Sequence, residues 1–427
     1  MITTLEPGTV MGSLRIVDGK PFCVEAEANR QRVRFGDERS LWYPNILDLT
    51  TGGGMWLFGV KDGEKYVVVH GPVQYPAYDY VSDPWCEDGE STSIYYAQDA
   101  GKYFAVEGMR EGKPYRRVWD SDKADGRLFY KAVRGKELVV WGDWESDEHE
   151  EVSDLTVRDG ILYYAAKDAA GKRVFKGEHA YPPYDDISGF TVLHGDPLYA
   201  AWDARRMRIV HGWKEDEPHD AIWDLRVAGN EILYCARDGA DSFVVRRGTG
   251  RSASFPEVWS PGLVDDELLF TAGDGQKYFV SWGSYQSHRH DGVLSPQVLH
   301  GELVYRSMDR GCVSFWRGKR VSRAYRSVDR PITSGDDIIH RVSTDEGECV
   351  VRNFDEDPFF AGIGEIRTFG GHLVYTAWVG DGWAVVSSGR GVTESFDAVF
   401  NLALTDEGAI FYGRKNLALF RVVLPLG

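Results

Sequence analysis

Three residue patterns recur in step along this chain, and their shared period constrains the fold more than any other feature. The first is an aromatic slot inside a short apolar phrase such as LYYAAKD, PLYAAWD or ILYCARD. It falls at Phe58, Tyr95, Tyr130, Tyr164, Tyr199, Tyr234, Phe270, Tyr305, His340, Tyr375 and Phe411, in steps of 34 to 37 residues. A degenerate first unit has its equivalent near Phe22 to Val24. The second is a glycine that ends a β-like run: Gly36, Gly71, Gly108, Gly142, Gly177, Gly212, Gly248, Gly283, Gly318 and Gly389. Asn353 takes that slot in the tenth unit, and asparagine is the residue after glycine that best tolerates positive φ. The third is an aromatic or histidine three residues before a β-branched residue, as in Tyr78/Val81, His149/Val152, Tyr184/Ile187 and Phe396/Val399.

Each unit holds short runs of alternating apolar and polar residues, rich in β-branched and aromatic types and separated by Gly, Asp and Asn. No run sustains a 3.6-residue period. Four short strands per unit, repeated about twelve times, predict an all-β chain of β-propeller blades. In residues 184–219 we assign FTV to strand a, LYAA to strand b, RIV to strand c and YDDI to strand d. The C-terminal unit supplies b and c strands and then stops, so the segment Pro7 to Val10 is expected to provide its missing outer strand and pair the two chain ends.

The phase is unbroken across WKEDEPHD, residues 213–220, and this connection is no longer than its counterparts. We therefore read residues 1–427 as one twelve-bladed ring, against the alternative of two six-bladed propellers, 1–212 and 213–427. The units resemble WD40-like and TolB-like propeller repeats. The resemblance rests on Trp119-Asp120 and Trp223-Asp224, with Trp259-Ser260 and Phe400-Asn401 in the same place. It extends over the whole chain at the level of fold and implies no particular functional residue. The units are shorter than the usual WD40 length, and the Gly-His pair of WD40 and the Ser-Pro-Asp-Gly turn of TolB are both missing.

Composition narrows the function. The net charge is −17, which disfavours a phosphate-backbone binder and attraction to an anionic membrane. The five cysteines, Cys23, Cys86, Cys235, Cys312 and Cys349, are widely spaced and form no CxxC. Neither a disulfide framework nor a thiolate zinc site is expected. The sequence shows no signal peptide and no membrane span, so a cytoplasmic location is expected.

Nine of the eleven histidines sit in repeat slots. His288 and His290 form a His-x-His pair, but His290 already belongs to the third pattern, so no metal is expected. The acidic clusters 145–151, 214–218 and 353–358 read as solvated connections between strands c and d. The basic run 317–330 reads as a strand with charged flanks. None of the sequence signatures of nucleotide, esterase or zinc-protease chemistry occurs.

Five aromatics lie outside the repeat patterns, in the c-to-d connections: Tyr75, Trp144, Tyr181, Trp213 and Tyr285. Exposed aromatics in loops mark binding surfaces. The expectation is a monomeric, non-catalytic scaffold that presents this side of its blades to a protein partner, with no cofactor and no nucleic acid. The uniformity of the units, none with an outsized insertion, favours it. The alternatives are an enzyme with a carbohydrate- or peptide-directed site in a central channel, and a structural or assembly component.

Overall fold

The computed structural model describes residues 2–87 and 90–426. It is all-β apart from one short 3₁₀ turn at Met11–Ser13, and no helix among the described residues is long and apolar enough to cross a membrane. Twelve antiparallel sheets follow one another along the chain, eleven of four strands and one of five. Each is a propeller blade in which consecutive strands a, b, c and d pair in order. In the fifth blade these are Glu151–Arg158, Ile161–Asp168, Gly171–Lys176 and His179–Ala180. The chain divides into two compact units of six blades each. One is residues 6–218; the other is residues 219–427 together with residues 1–5.

The turn chemistry follows the sequence reading. Every glycine of the second pattern lies at positive φ, from 53° at Gly283 to 79° at Gly248, and Asn353 has φ 60°. Strand a carries a bulge in most blades, with Asp48, Asp120, Asp154, Asp224, Ser260 and Asn401 at φ near 50°. The two Trp-Asp pairs fall at this bulge. Short polar side chains tolerate the left-handed conformation, which accounts for the residue types there.

Within each unit, successive blades pack face to face on apolar clusters. Phe22 and Val33 of the first blade meet Trp56 and Phe58 of the second, and Cys235 and Val244 of the seventh meet Val258 and Phe270 of the eighth. The first and third sequence patterns turn out to be partners. Tyr43 packs on Phe58, Tyr115 on Tyr130, Tyr184 on Tyr199 and Phe396 on Phe411, with ring centroids 5.5, 6.2, 6.1 and 5.8 Å apart. The residue two beyond the strand b aromatic is a fully buried alanine in seven blades, among them Ala166, Ala201 and Ala377. In the last blade the slot holds Gly413, where a Cβ would meet the Phe396 ring at 2.4 Å.

Two strand assignments need correction. YDDI is not strand d. Tyr184 closes one blade by bridging to Lys172, whereas Asp186 opens strand a of the next, Asp186–Leu193. A four-residue phrase looks like one strand because its two halves pair with different sheets. The chain ends do meet in the last blade, but through Ile2–Thr4 pairing with Ala418–Phe420. The segment Pro7 to Val10 pairs instead with the first blade, where Ala26 N donates to Gly8 O and Val10 N to Val24 O.

The units are also less uniform than the sequence suggests. In the third blade strand a shrinks to Tyr80–Val81, and twelve residues separate it from Ile94. In the tenth, Pro331 splits strand a into Ser327–Val328 and Ile332–Ser334, both paired with Asp337–Thr344. A proline has no N–H to give the ladder, so the strand breaks there.

Candidate functional site

The polar side chains between blades are mostly committed to one another. Three residues before each aromatic of the third pattern is a further slot, and its backbone N–H donates to strand c of its own blade. In six blades that slot holds a hydroxyl, which in turn accepts a strand c N–H: Ser40 from Val33, Ser146 from Val139, Ser252 from Val244, Ser287 from Val280, Ser322 from Phe315 and Thr393 from Val385, at 2.9 to 3.1 Å. Sequence reasoning missed this fourth pattern, although its phase against the third was legible.

At four of the five tyrosines of the third pattern the hydroxyl donates to a glutamate of the next blade: Tyr78 to Glu111, Tyr115 to Glu145, Tyr184 to Glu215 and Tyr325 to Glu356, at 2.7 to 2.8 Å. Each of the three acidic clusters supplies one of these acceptors, so the clusters serve the links between blades. Burial works against ionised Glu145, yet Tyr115, Arg134 and Lys113 together hold its carboxyl at about 2. The basic run is similarly engaged. Arg323 pairs with Glu356 at 2.6 Å, Arg317 with Glu302 at 2.7 Å, and Arg320 lies over the Phe354 ring. His290 Nδ1 lies 2.7 Å from Asp309. Among the described residues no group of three or more His, Cys, Asp or Glu is placed to hold a metal ion.

The five loop aromatics have different fates. Tyr75 and Tyr181 are buried between blades, and both occupy the fourth-pattern slot. Trp213 is 69% exposed in the turn between strands c and d of the sixth blade, with its ring tilted over Tyr181 at 4.8 Å. Tyr285 is 43% exposed at the start of strand d of the eighth blade. Trp144 opens strand d of the fourth blade and is half-buried. It packs against the cluster between the fourth and fifth blades and also lines an open cavity between the third and fourth.

That cavity measures about 570 Å³. Gly112, in the fourth-pattern slot of the third blade, is part of its lining. There the other blades place Ser, Thr, Asp or Tyr. Gly112 N still donates to Ala105 O at 2.8 Å, so the backbone is regular and only the side chain is missing. The Tyr130 hydroxyl lies 3.0 Å from where a Cβ would stand. Burial pushes that phenol up to about 12. Trp141, Trp144, Leu128 and Val140 supply apolar wall, and Arg110, Lys113, Arg127, Glu107, Glu111 and Asp143 form a charged rim.

A smaller cavity of about 430 Å³ lies at the shortened strand a of the third blade, beside Asp83, Asp120, Tyr80 and Trp85. Burial and the neighbouring Asp83 raise the pKa of Asp48 there.

No family model matches the chain, and no curated protein matches it. Several solved structures show a slight likeness. The computationally designed Ika8 protein is 17% identical over 64% of this chain and 96% of its own, with a TM-score of 0.29. Hsv2 of Kluyveromyces lactis is 12% identical over 64% and 97%, at 0.30. The dihydro-heme d1 dehydrogenase NirN is 12% identical over 78% and 73%, at 0.29. Likeness at that level carries no inference of function.

Proposed function

We propose that this protein is a non-catalytic binding scaffold that receives a protein partner on the c-to-d side of its blades. The observation that carries the reading is Trp213. A large indole at a turn, with one face over Tyr181, is left 69% exposed. Tyr285 adds a second exposed ring at the start of strand d of another blade. The commitment of serine, histidine, tyrosine and glutamate side chains to repeated links between blades supports binding over catalysis, because few are left to converge on a substrate.

The test is affinity capture from cell extract with the intact protein and with a Trp213→Ala/Tyr285→Ala variant. Partners captured by the first and lost by the second support the proposal. Full retention of every captured partner by the variant overturns it.

The single twelve-bladed ring is likewise a proposal, supported by the unbroken phase of the repeat across residues 213–220. Electron-microscope top views with twelve blades around one pore would support it, and two rings of six would overturn it.

A further inference from the structure

We propose that the groove lined by Gly112 is a binding site for a neutral saccharide. One residue of its lining departs from the repeat. Gly112 is not in the left-handed region, so the backbone does not call for glycine. Serine at this place would give Ala105 the hydroxyl acceptor that six other blades have. Tyrosine would fill the space, as Tyr75 and Tyr181 do in the second and fifth blades. The groove that Gly112 lines measures about 570 Å³, within the range of small-ligand sites.

The rim selects the chemistry. Its charges balance, with Arg110, Lys113 and Arg127 against Glu107, Glu111 and Asp143. Nearly all are already engaged. Arg110 pairs with Asp143 at 3.2 Å, Lys113 with Glu145 at 2.9 Å, and Glu107 with Lys123 at 3.1 Å. Glu111 accepts the Tyr78 hydroxyl, and the Arg127 guanidinium lies 5.2 Å from the Trp141 ring centroid. An ionic ligand would compete with the salt bridges of Arg110, Lys113 and Glu107. A hydroxyl both donates and accepts, so it can join a pair without displacing either partner. A sugar presents several such hydroxyls and also an apolar C–H face. The groove offers that face the Trp144 indole and the side chains of Leu128 and Val140.

This site lies between the outer strands of two blades and is independent of the protein-partner reading. The two are tested on different residues and fail separately. The experiment is titration of the intact protein with glucose, mannose, galactose, N-acetylglucosamine, maltose and chitobiose, alongside galacturonate and glucosamine as charged controls. Heat of binding and quenching of tryptophan fluorescence are both recorded.

The expected result is that at least one neutral sugar binds with a dissociation constant of about 1 mM or tighter, and that Gly112→Ser and Gly112→Tyr each weaken it at least about tenfold. Both variants place in the slot a residue that other blades already carry there, and unchanged circular dichroism and melting temperature establish that each is folded. Three results would each overturn the proposal: no neutral sugar bound at that concentration, binding kept by folded Gly112→Tyr, or binding confined to the charged sugars.

Discussion

The Nδ1 atom of His149 lies 3.0 Å from Oδ1 of Asp168, and the same spacing recurs where His219 meets Asp238 at 2.9 Å and His290 meets Asp309 at 2.7 Å. In each case the imidazole fills the aromatic slot that tyrosine or phenylalanine fills elsewhere, and an aspartate at the end of strand b caps it. A buried imidazole is tolerated because one ring nitrogen has a fixed partner. Removing that partner is therefore worse than removing the pair. Asp168→Ala is expected to lower the unfolding free energy by about 1–3 kcal/mol. His149→Phe/Asp168→Ala should recover part of that loss, since Phe255, Phe360 and Phe396 occupy the same slot. Chemical denaturation of the two variants decides it; a double variant no more stable than Asp168→Ala would refute the pairing.

His340 should give the molecule an acid-labile blade. It stands in the strand b aromatic slot, stacks on Phe315 at 4.4 Å, and holds Asp329 O at 3.2 Å. Burial lowers its pKa from 6.5 to about 4. The unfolded chain then binds a proton at higher pH than the folded one. The neutral imidazole's contribution is complete above about pH 6.5 and is lost as the pH falls toward 4, at most about 3 kcal/mol. His340→Phe should flatten the stability profile in that window. An unchanged profile would show that His340 does not titrate there.

The hydroxyl slot predicts a different pattern of tolerance. Ser287 is buried and accepts Val280 N at 2.9 Å. Ser287→Ala should cost about 1–2 kcal/mol, because that N–H is left without an acceptor. Ser287→Thr should cost less, since Thr393 makes the same bond to Val385. Thermal unfolding that ranks alanine at or above threonine would contradict the role assigned to the hydroxyl.

Tyr199 tests the packing between blades. It is fully buried and meets the Tyr184 ring at 6.1 Å. Tyr199→Ala should cost about 3–5 kcal/mol, and Tyr199→Phe much less, because Phe58, Phe270 and Phe411 already serve in that slot. Equal losses for the two variants would mean that the hydroxyl, not the ring, carries the energy.

Removal of residues 1–5 should weaken the last blade. Leu5 is buried and its N–H donates to Leu417 O at 2.7 Å, next to the pairing of Ile2–Thr4 with Ala418–Phe420. Without that strand an edge lies open, and the shortened protein should melt earlier and self-associate. Light scattering that finds it as monodisperse as the full chain would argue against this closure.

The sequence by itself determined the repeat, the strand content and the turn positions. These depend on neighbours two to four residues away, so Gly36, Asn353 or the alternation around Tyr164 could be read directly. Tertiary structure decided what each side chain meets. Tyr75, Trp144, Tyr181 and Trp213 looked alike as loop aromatics, yet two are buried, one is half-buried and one is exposed. Tyr78 finds Glu111 across 33 residues because a tyrosine reaches into the following blade, a partner no local pattern names. Gly112 reads in the sequence as another turn glycine. The structure places it in the wall of a groove, beside two indoles of the fourth blade. Local backbone preference travels along the chain; burial, pairing and empty space arise between segments that packing brings together.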